Sequence, residues 1–287
     1  MRNLFLSLLA TLILFSCSDD DETTTVSPKL IVKLVVDSDQ VRLGNNGSPA
    51  EIPAGNAAQN PIFNSISAHY LEFAQNSNTL LGNGAVLYQA AETTAGGENA
   101  IDFEKSNVVA PGDIFIEIPL KNITPGSYEW VRLSLSYQNY DVEFYFNDIP
   151  FTGTVASFVG FNNYITQYTV KNEQVTVNEN KPQGYWGFET VTGVLTGQAP
   201  EGATTVPNPL FATSPIPQGS CVVTGNFDSN LVITGQETND IMVTLSLSIN
   251  KSFEWIDANG NGKWDVEPNA GENIVDMGLR GLVPSYQ

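Results

Sequence analysis

Residues 241–249 place Ile241, Val243, Leu245, Leu247 and Ile249 opposite Met242, Thr244, Ser246 and Ser248. Strict alternation means a strand with one buried face and one wet face, because successive strand side chains point to opposite sides. The same period recurs at Leu30, Val32, Leu34 and Val36 and at Ile114, Ile116, Ile118 and Leu120. Val131, Leu133, Leu135 and Tyr137 share one face, with Arg132, Ser134 and Ser136 on the other. Val142, Phe144 and Phe146 resume after Gln138-Asn139-Tyr140, which predicts a hairpin there. The 62–73 segment alternates well enough for a strand and can also hold a helical turn. No long stretch carries an i, i+3, i+4 apolar stripe. Asn45-Asn46-Gly47, Pro111-Gly112-Asp113, Pro125-Gly126 and Asn259-Gly260 punctuate the strands. The expectation is an all-β fold: an antiparallel β-sandwich with Greek-key connections and long loops.

Three stretches read as those loops: 44–60, rich in Gly, Asn, Ala and Pro; 89–100; and 198–219, with Pro200, Pro207, Pro209, Pro215 and Pro217. Such lengths mark functional or disordered segments. The last can also be a boundary between two β units, but 220–287 is short for a free-standing domain. One domain over 29–287 with a Pro-rich insertion near 198–219 is the preferred organisation. No internal repeat of fixed period is present.

Ahead of that domain, Arg2 precedes an apolar run from Leu4 to Phe15, followed by Ser16-Cys17 and then Ser18-Asp19-Asp20-Asp21-Glu22. A short apolar run behind a positive residue is a secretory signal, too short to span a bilayer. Its end resembles a bacterial lipobox. The resemblance implies a signal peptide over 1–16, cleavage before Cys17, a lipid on that thiol, and a tether over 17–28. The acidic run Ser18, Asp19, Asp20, Asp21 and Glu22 resembles the export signal of surface lipoproteins of the Bacteroidota. Phe15 departs from the small residue usual in a lipobox, and a plain secretory signal with an incidental cysteine is the alternative. The resemblance covers residues 1–22 and implies an outer-membrane location, lipid-anchored and facing the cell exterior.

Charge narrows the partners. Removing residues 1–16 removes Arg2 and no acid, so the net −19 becomes −20. That excess disfavours nucleic acid and anionic headgroups, would be repelled by a lipopolysaccharide-rich surface, and attracts divalent cations. It also simply confers solubility. Cysteine usage narrows the fold. Only Cys17 and Cys221 exist. With Cys17 lipidated, no internal disulfide is available, so the fold must stand on its core, helped at most by a metal. Cys221, in Ser220-Cys221-Val222-Val223, reads as a buried strand thiol.

Asp257-Ala258-Asn259-Gly260-Asn261-Gly262-Lys263-Trp264-Asp265 is the motif with the most chemistry. Hard cations take six to eight oxygens from a tightly curled loop. The spacing offers Asp257, Asn259, Asn261 and Asp265 side chains at loop positions 1, 3, 5 and 9. Gly262 at position 6 permits the sharp turn, and the Lys263 carbonyl at position 7 can point inward. This resembles an EF-hand calcium loop over residues 257–265. Pro268 stands where that family has its bidentate glutamate, and Phe253-Glu254-Trp255-Ile256 reads as a strand rather than a helix. Glu267, Glu272 and Asp276 are the candidates to complete a Ca2+ shell. The alternative is a pair of Asn-Gly turns that binds nothing.

Other sites are weaker. His69, the only histidine, cannot build a multi-histidine metal site and reads as a strand residue with a satisfied hydrogen bond. No G-x-S-x-G, H-E-x-x-H or P-loop pattern is present. Trp130, Trp186, Trp255 and Trp264 with Tyr140 and Tyr185 can form a sugar-stacking platform, though aromatics in sandwiches more often pack cores. Ile66–Glu72, with Pro125-Gly126-Ser127-Tyr128 leading into Val131-Arg132-Leu133, also resembles β-sandwich lipoproteins related to the methanobactin-associated periplasmic copper protein. No copper site is carried over. Two function classes remain. One is a non-enzymatic surface lipoprotein that binds calcium, either an accessory subunit of an outer-membrane β-barrel complex or a ligand-binding module. The other is a surface polysaccharide hydrolase using carboxylates.

Overall fold

The computed structural model describes residues 27–43, 49–199, 217, 220–268, 271–277, 279 and 281–287. Cys17, the export signal Ser18–Glu22 and most of the Pro-rich 198–219 stretch lie outside the described residues. The strands are β1 (Lys29–Asp37), β2 (Asn56–Gln59), β3 (Ile62–Ala74), β4 (Ala85–Gln89), β5 (Glu92–Thr93) and β6 (Ala100–Asp102). They continue as β7 (Ile114–Pro119), β8 (Gly126–Phe146), β9 (Ile149–Phe158), β10 (Asn162–Thr169), β11 (Gln174–Pro182) and β12 (Tyr185–Thr190). The last are β13 (Gly193–Gln198), β14 (Cys221–Ile233), β15 (Ile241–Ser248), β16 (Phe253–Ile256), β17 (Ile274–Asp276) and β18 (Leu282–Tyr286). Among the described residues there is no α-helix, and the expected all-β class is what the chain adopts.

A four-stranded sheet, β18-β15-β1-β7, packs on a seven-stranded sheet, β13-β12-β9-β8-β3-β4 with β14 also on β8. Between them lies an aliphatic core of Leu30, Val32 and Leu34 from β1, Val243, Leu245 and Leu247 from β15, and Leu71, Leu133 and Val223 from the larger sheet. These are the alternating residues of the sequence, and all are buried. The smaller sheet is mixed rather than purely antiparallel, because β1 runs parallel to β15, with Leu30 opposite Ile241; in a separate sheet, β11-β10-β6-β5, β6 likewise runs parallel to β10. Two of the expected loops contain strands: β2 lies within 44–60, and β5 with the first residue of β6 within 89–100. The 62–73 segment is strand throughout, inside β3.

β8 is the spine. β3 pairs along one edge, while β14 (over Gly126–Leu135) and β9 (over Tyr137–Phe146) sit end to end on the other. The expected hairpin at Gln138-Asn139-Tyr140 does not form. Buried residues do change parity, from Val131, Leu133 and Leu135 to Tyr140, Val142 and Phe144, but a β-bulge causes it. Ser67 pairs with Tyr137 while its neighbour Ala68 pairs with Leu135, so Ser136 is an extra residue. The N–H groups of Val159 and Gly160 both reach its carbonyl, at 2.9 and 3.1 Å. The bulge keeps both apolar sets on one face and turns Tyr137 to the opposite face, beside Phe158 and Ile165. Gln138 and Asn139 are tolerated inside because Gln138 donates to the Met277 carbonyl and Asn139 to the Val170 carbonyl. The actual turn is Asn147-Asp148, with φ of 51° and 58°, the left-handed pair a two-residue hairpin needs.

Candidate metal centre

β16 ends at Ile256 and the chain enters the 257–265 loop over an aromatic base. Phe253, Trp255 and Trp264 are buried with Tyr140, Val142 and Phe144 of β8. The indole N–H of Trp255 donates to the Lys263 carbonyl at 3.0 Å, and that of Trp264 to the Glu272 carbonyl at 3.2 Å. Gly260 and Gly262 take φ of 72° and 74°, which lets the loop curl.

Inside the curl, side-chain oxygens point at the main chain. Asp257 accepts the N–H of Asn261 at 3.1 Å and of Gly262 at 2.9 Å. Asn259 Oδ1 accepts the N–H of Asn261, and Asn261 Oδ1 that of Lys263. The amides of Asn259 and Asn261 then converge on one oxygen, Asp265 Oδ2, at 2.7 and 2.9 Å. The residues expected at positions 1, 3, 5 and 9 therefore meet in one small volume. The carbonyl expected at position 7 faces Trp255 and keeps a second lone pair.

Of the three candidates to close the shell, Glu272 is at the loop. Its two oxygens accept the N–H groups of Ala258 at 2.7 Å and Asp265 at 3.1 Å, clasping the loop's two ends together. Its own N–H returns to the Asp265 carbonyl at 2.9 Å. Glu267 instead accepts the N–H of Asn147 at 2.7 Å, and Asp276 stands in β17 opposite Glu254. Among the described residues, no three His, Cys, Asp or Glu side chains are grouped to hold a metal by themselves. A cation here must draw oxygens from the two asparagines and the main chain as well as from Asp257, Asp265 and Glu272. Mixed carboxylate, amide and carbonyl oxygen is the donor set that calcium accepts, and the set fits that ion.

Sequence reasoning missed what the loop grips. Tyr145 exchanges main-chain bonds with Trp264 and Val266, at 2.8 and 3.1 Å. Lys263 pairs with Asp148 at 2.9 Å and lies 4.9 Å over the Tyr145 ring. With the bond from Asn147 to Glu267, the loop fastens the tip of the β8–β9 hairpin. Asn147-Asp148 between apolar strands was the available signal for that tip.

The remaining candidates resolve into structure. His69 is fully buried in β3, and its Nε2 meets Glu92 at 2.9 Å. Burial pulls its pKa below the usual histidine value, against the opposing pull of Glu92. Cys221 is buried in β14. Trp255, Trp264 and Tyr140 lie in the aromatic base and Tyr185 in the cluster beside Phe158. Trp186 is half-buried against that base, and Trp130 sits half-buried in β8. The six rings therefore do not make one exposed platform. Comparison of the chain with protein-family models, with curated proteins and with solved structures gives no match.

Proposed function

We propose that the chain is a non-enzymatic, lipid-anchored surface protein of the outer membrane whose C-terminal loop binds calcium. The calcium reading is supported by the convergence of Asp257, Asn259, Asn261 and Asp265, closed by Glu272, over a loop rooted on two buried tryptophans, and the anchoring reading by the resemblance of residues 1–22 to a lipobox with an acidic export signal. Calcium would replace the amide-to-carboxylate contacts with oxygen-to-metal ones and lock the hairpin tip against β16 and β17. Its role is then to fix a surface for binding, as a ligand-binding module or an accessory subunit of an outer-membrane β-barrel complex.

Calorimetric titration of the full chain with Ca2+ is the test. Binding heat and a raised melting temperature are expected, both lost in Asp257→Ala/Asp265→Ala. Absence of heat, with identical melting in chelator and in millimolar calcium, overturns the calcium reading. Anchoring is tested separately. Cys17→Ser should leave the membrane fraction, and replacing Asp19, Asp20, Asp21 and Glu22 by Ala should retain the lipid and lose protease accessibility on intact cells. Co-purification of a β-barrel partner would support the accessory role. Turnover of a surface polysaccharide by the purified protein would favour the hydrolase reading instead.

A further inference from the structure

On the face of β8 opposite the metal loop lies a cavity of about 370 Å³, within the range of small-molecule sites. Phe103 gives it half-buried ring surface over the buried Tyr137 and Tyr168, and Asn64, Asn139 and Lys171 give it polar edges. Asn64 arrives there through a second bulge. Phe63 pairs with Tyr140 and Ser65 with Asn139, so Asn64 is unpaired with the ladder and free to be re-aimed.

The polar side is fixed before any ligand arrives. Asp141 accepts from Thr154 at 2.6 Å, Asn64 at 3.1 Å and Lys171 at 2.7 Å. Burial alone would raise the pKa of Asp141, but those bonds and the Lys171 charge outweigh it and hold the carboxyl below its usual value. The turn carrying Lys171 is held in turn by Glu189, which accepts the N–H groups of Lys171, Asn172 and Glu173 at 2.8 to 3.1 Å. Asn139 is spanned between the Val170 carbonyl and the Tyr137 hydroxyl, and itself accepts from Asn64 at 3.0 Å.

The chemistry on offer is specific. The Lys171 charge is neutralised by Asp141, whose oxygens are all engaged, so neither a free cation nor a free anion site is presented. Asn64 Oδ1, Ser65 Oγ and Thr169 Oγ1 make no side-chain bond among the described residues, and Lys171 keeps two further N–H donors. An uncharged ligand carrying several hydroxyls and a C–H face matches this set. Its hydroxyls meet the amide, hydroxyl and ammonium groups, and its C–H face meets the half-buried ring of Phe103, which the buried Tyr137 and Tyr168 back. The acidic surface of the chain adds a penalty against any anionic counterpart.

We propose that this cavity is a binding site for one neutral pyranose unit, distinct from the metal loop and independent of whether that loop holds calcium. Calorimetry and saturation-transfer NMR on the full chain, with a panel of neutral methyl glycosides and with glucuronate as the charged counterpart, test it. At least one neutral glycoside should bind, with or without chelator. Asn64→Ala and Lys171→Ala should each weaken it about tenfold, the size of one lost hydrogen bond to a polar or charged group. Both side chains are exposed, so the melting temperature should hold and serve as the folding control. No binding across the neutral panel, equal binding in both variants, or stronger binding of glucuronate overturns the proposal.

Discussion

The aliphatic core and the aromatic base of the 257–265 loop lie on one face of the same strand, yet they are held together differently. The aliphatic core joins β1, β3, β8, β14 and β15, long strands whose side chains on the face between the two sheets are almost all hydrocarbon, while polar groups such as Glu72 and Arg132 are buried outside that cluster. The aromatic base is closed by β2, β16 and β17, of four, four and three residues. Strands that short bury little by themselves. Directional bonds take over: two indole N–H groups, the Glu272 clasp, and the buried pair Arg42–Glu254, whose side chains are 9% and 5% exposed. Apolar burial carries the first region without regard to ions. The second depends on charged groups being correctly partnered.

The largest effect expected is in the aliphatic core. Leu245→Ala should cost about 4 kcal/mol by the lost transfer energy and the cavity left behind, and lower denaturant stability for the whole molecule. A loss confined to local amide exchange would mean that the two regions are not organised as described. Next, Arg42→Met leaves Glu254 buried without its cationic partner, with the Asn56 amide still donating to it, and should cost about 3 kcal/mol. The double variant with Glu254→Met should recover most of it, because an apolar pair restores a matched interior. If the double variant is as unstable as the single one, the pair is not the organising contact.

Calcium should act more modestly and locally. At a hundred times its dissociation constant it adds about 2.7 kcal/mol by mass action. Amide exchange should show that protection around 253–277 and scarcely in β1 or β15, with Trp255 and Trp264 fluorescence following the titration. Glu272→Ala should abolish the protection. Equal protection of β1 would erase the contrast between the regions.

The smallest effect concerns pH. The folded pKa of His69 lies below its unfolded value near 6.5, so between the two the unfolded chain binds the extra proton. Stability is therefore full above the unfolded pKa and is lost as pH falls below it, by at most about 1.4 kcal/mol per pH unit for one proton. Asp141 and Glu189, also held below their usual values, lose their contribution only in the lower carboxylate range. His69→Gln should flatten the melting temperature between pH 6.5 and the carboxylate range. An unchanged slope would place the sensitivity elsewhere.

Alternation exposes which residues face inward, and at Leu30–Leu34 and Ile241–Leu247 it is written in neighbouring residues, so it reads directly. Three features are not local. The parity change around Ser136 looks the same in sequence whether a turn or a bulge produces it, and only the partner strand decides. The parallel pairing of β1 with β15 leaves no mark in either segment. Among Glu267, Glu272 and Asp276, only the path of the chain after Pro268 brings Glu272 back to the loop's two ends. The 257–265 motif itself needed no tertiary information, because its oxygens are spaced along one curl. The cavity beside Asn64 was invisible because its walls come from β3, β8, β10 and the segment after β6.

Pairing β1 beside β15 also sets an order of events. Lys29 is bonded to Asp240 across 211 positions of chain, and every buried residue of β1 rests on a neighbour equally remote. Closing so long a loop carries an entropic cost that no local contact offsets beforehand, so the aliphatic layer is expected to assemble late and slowly. Until β15 is available, β1 has only its antiparallel partner β7 and lacks the neighbour that completes its second edge. A chain that delays its own compaction in this way stays pliable while its two ends are apart, and becomes rigid only once both distant segments have met.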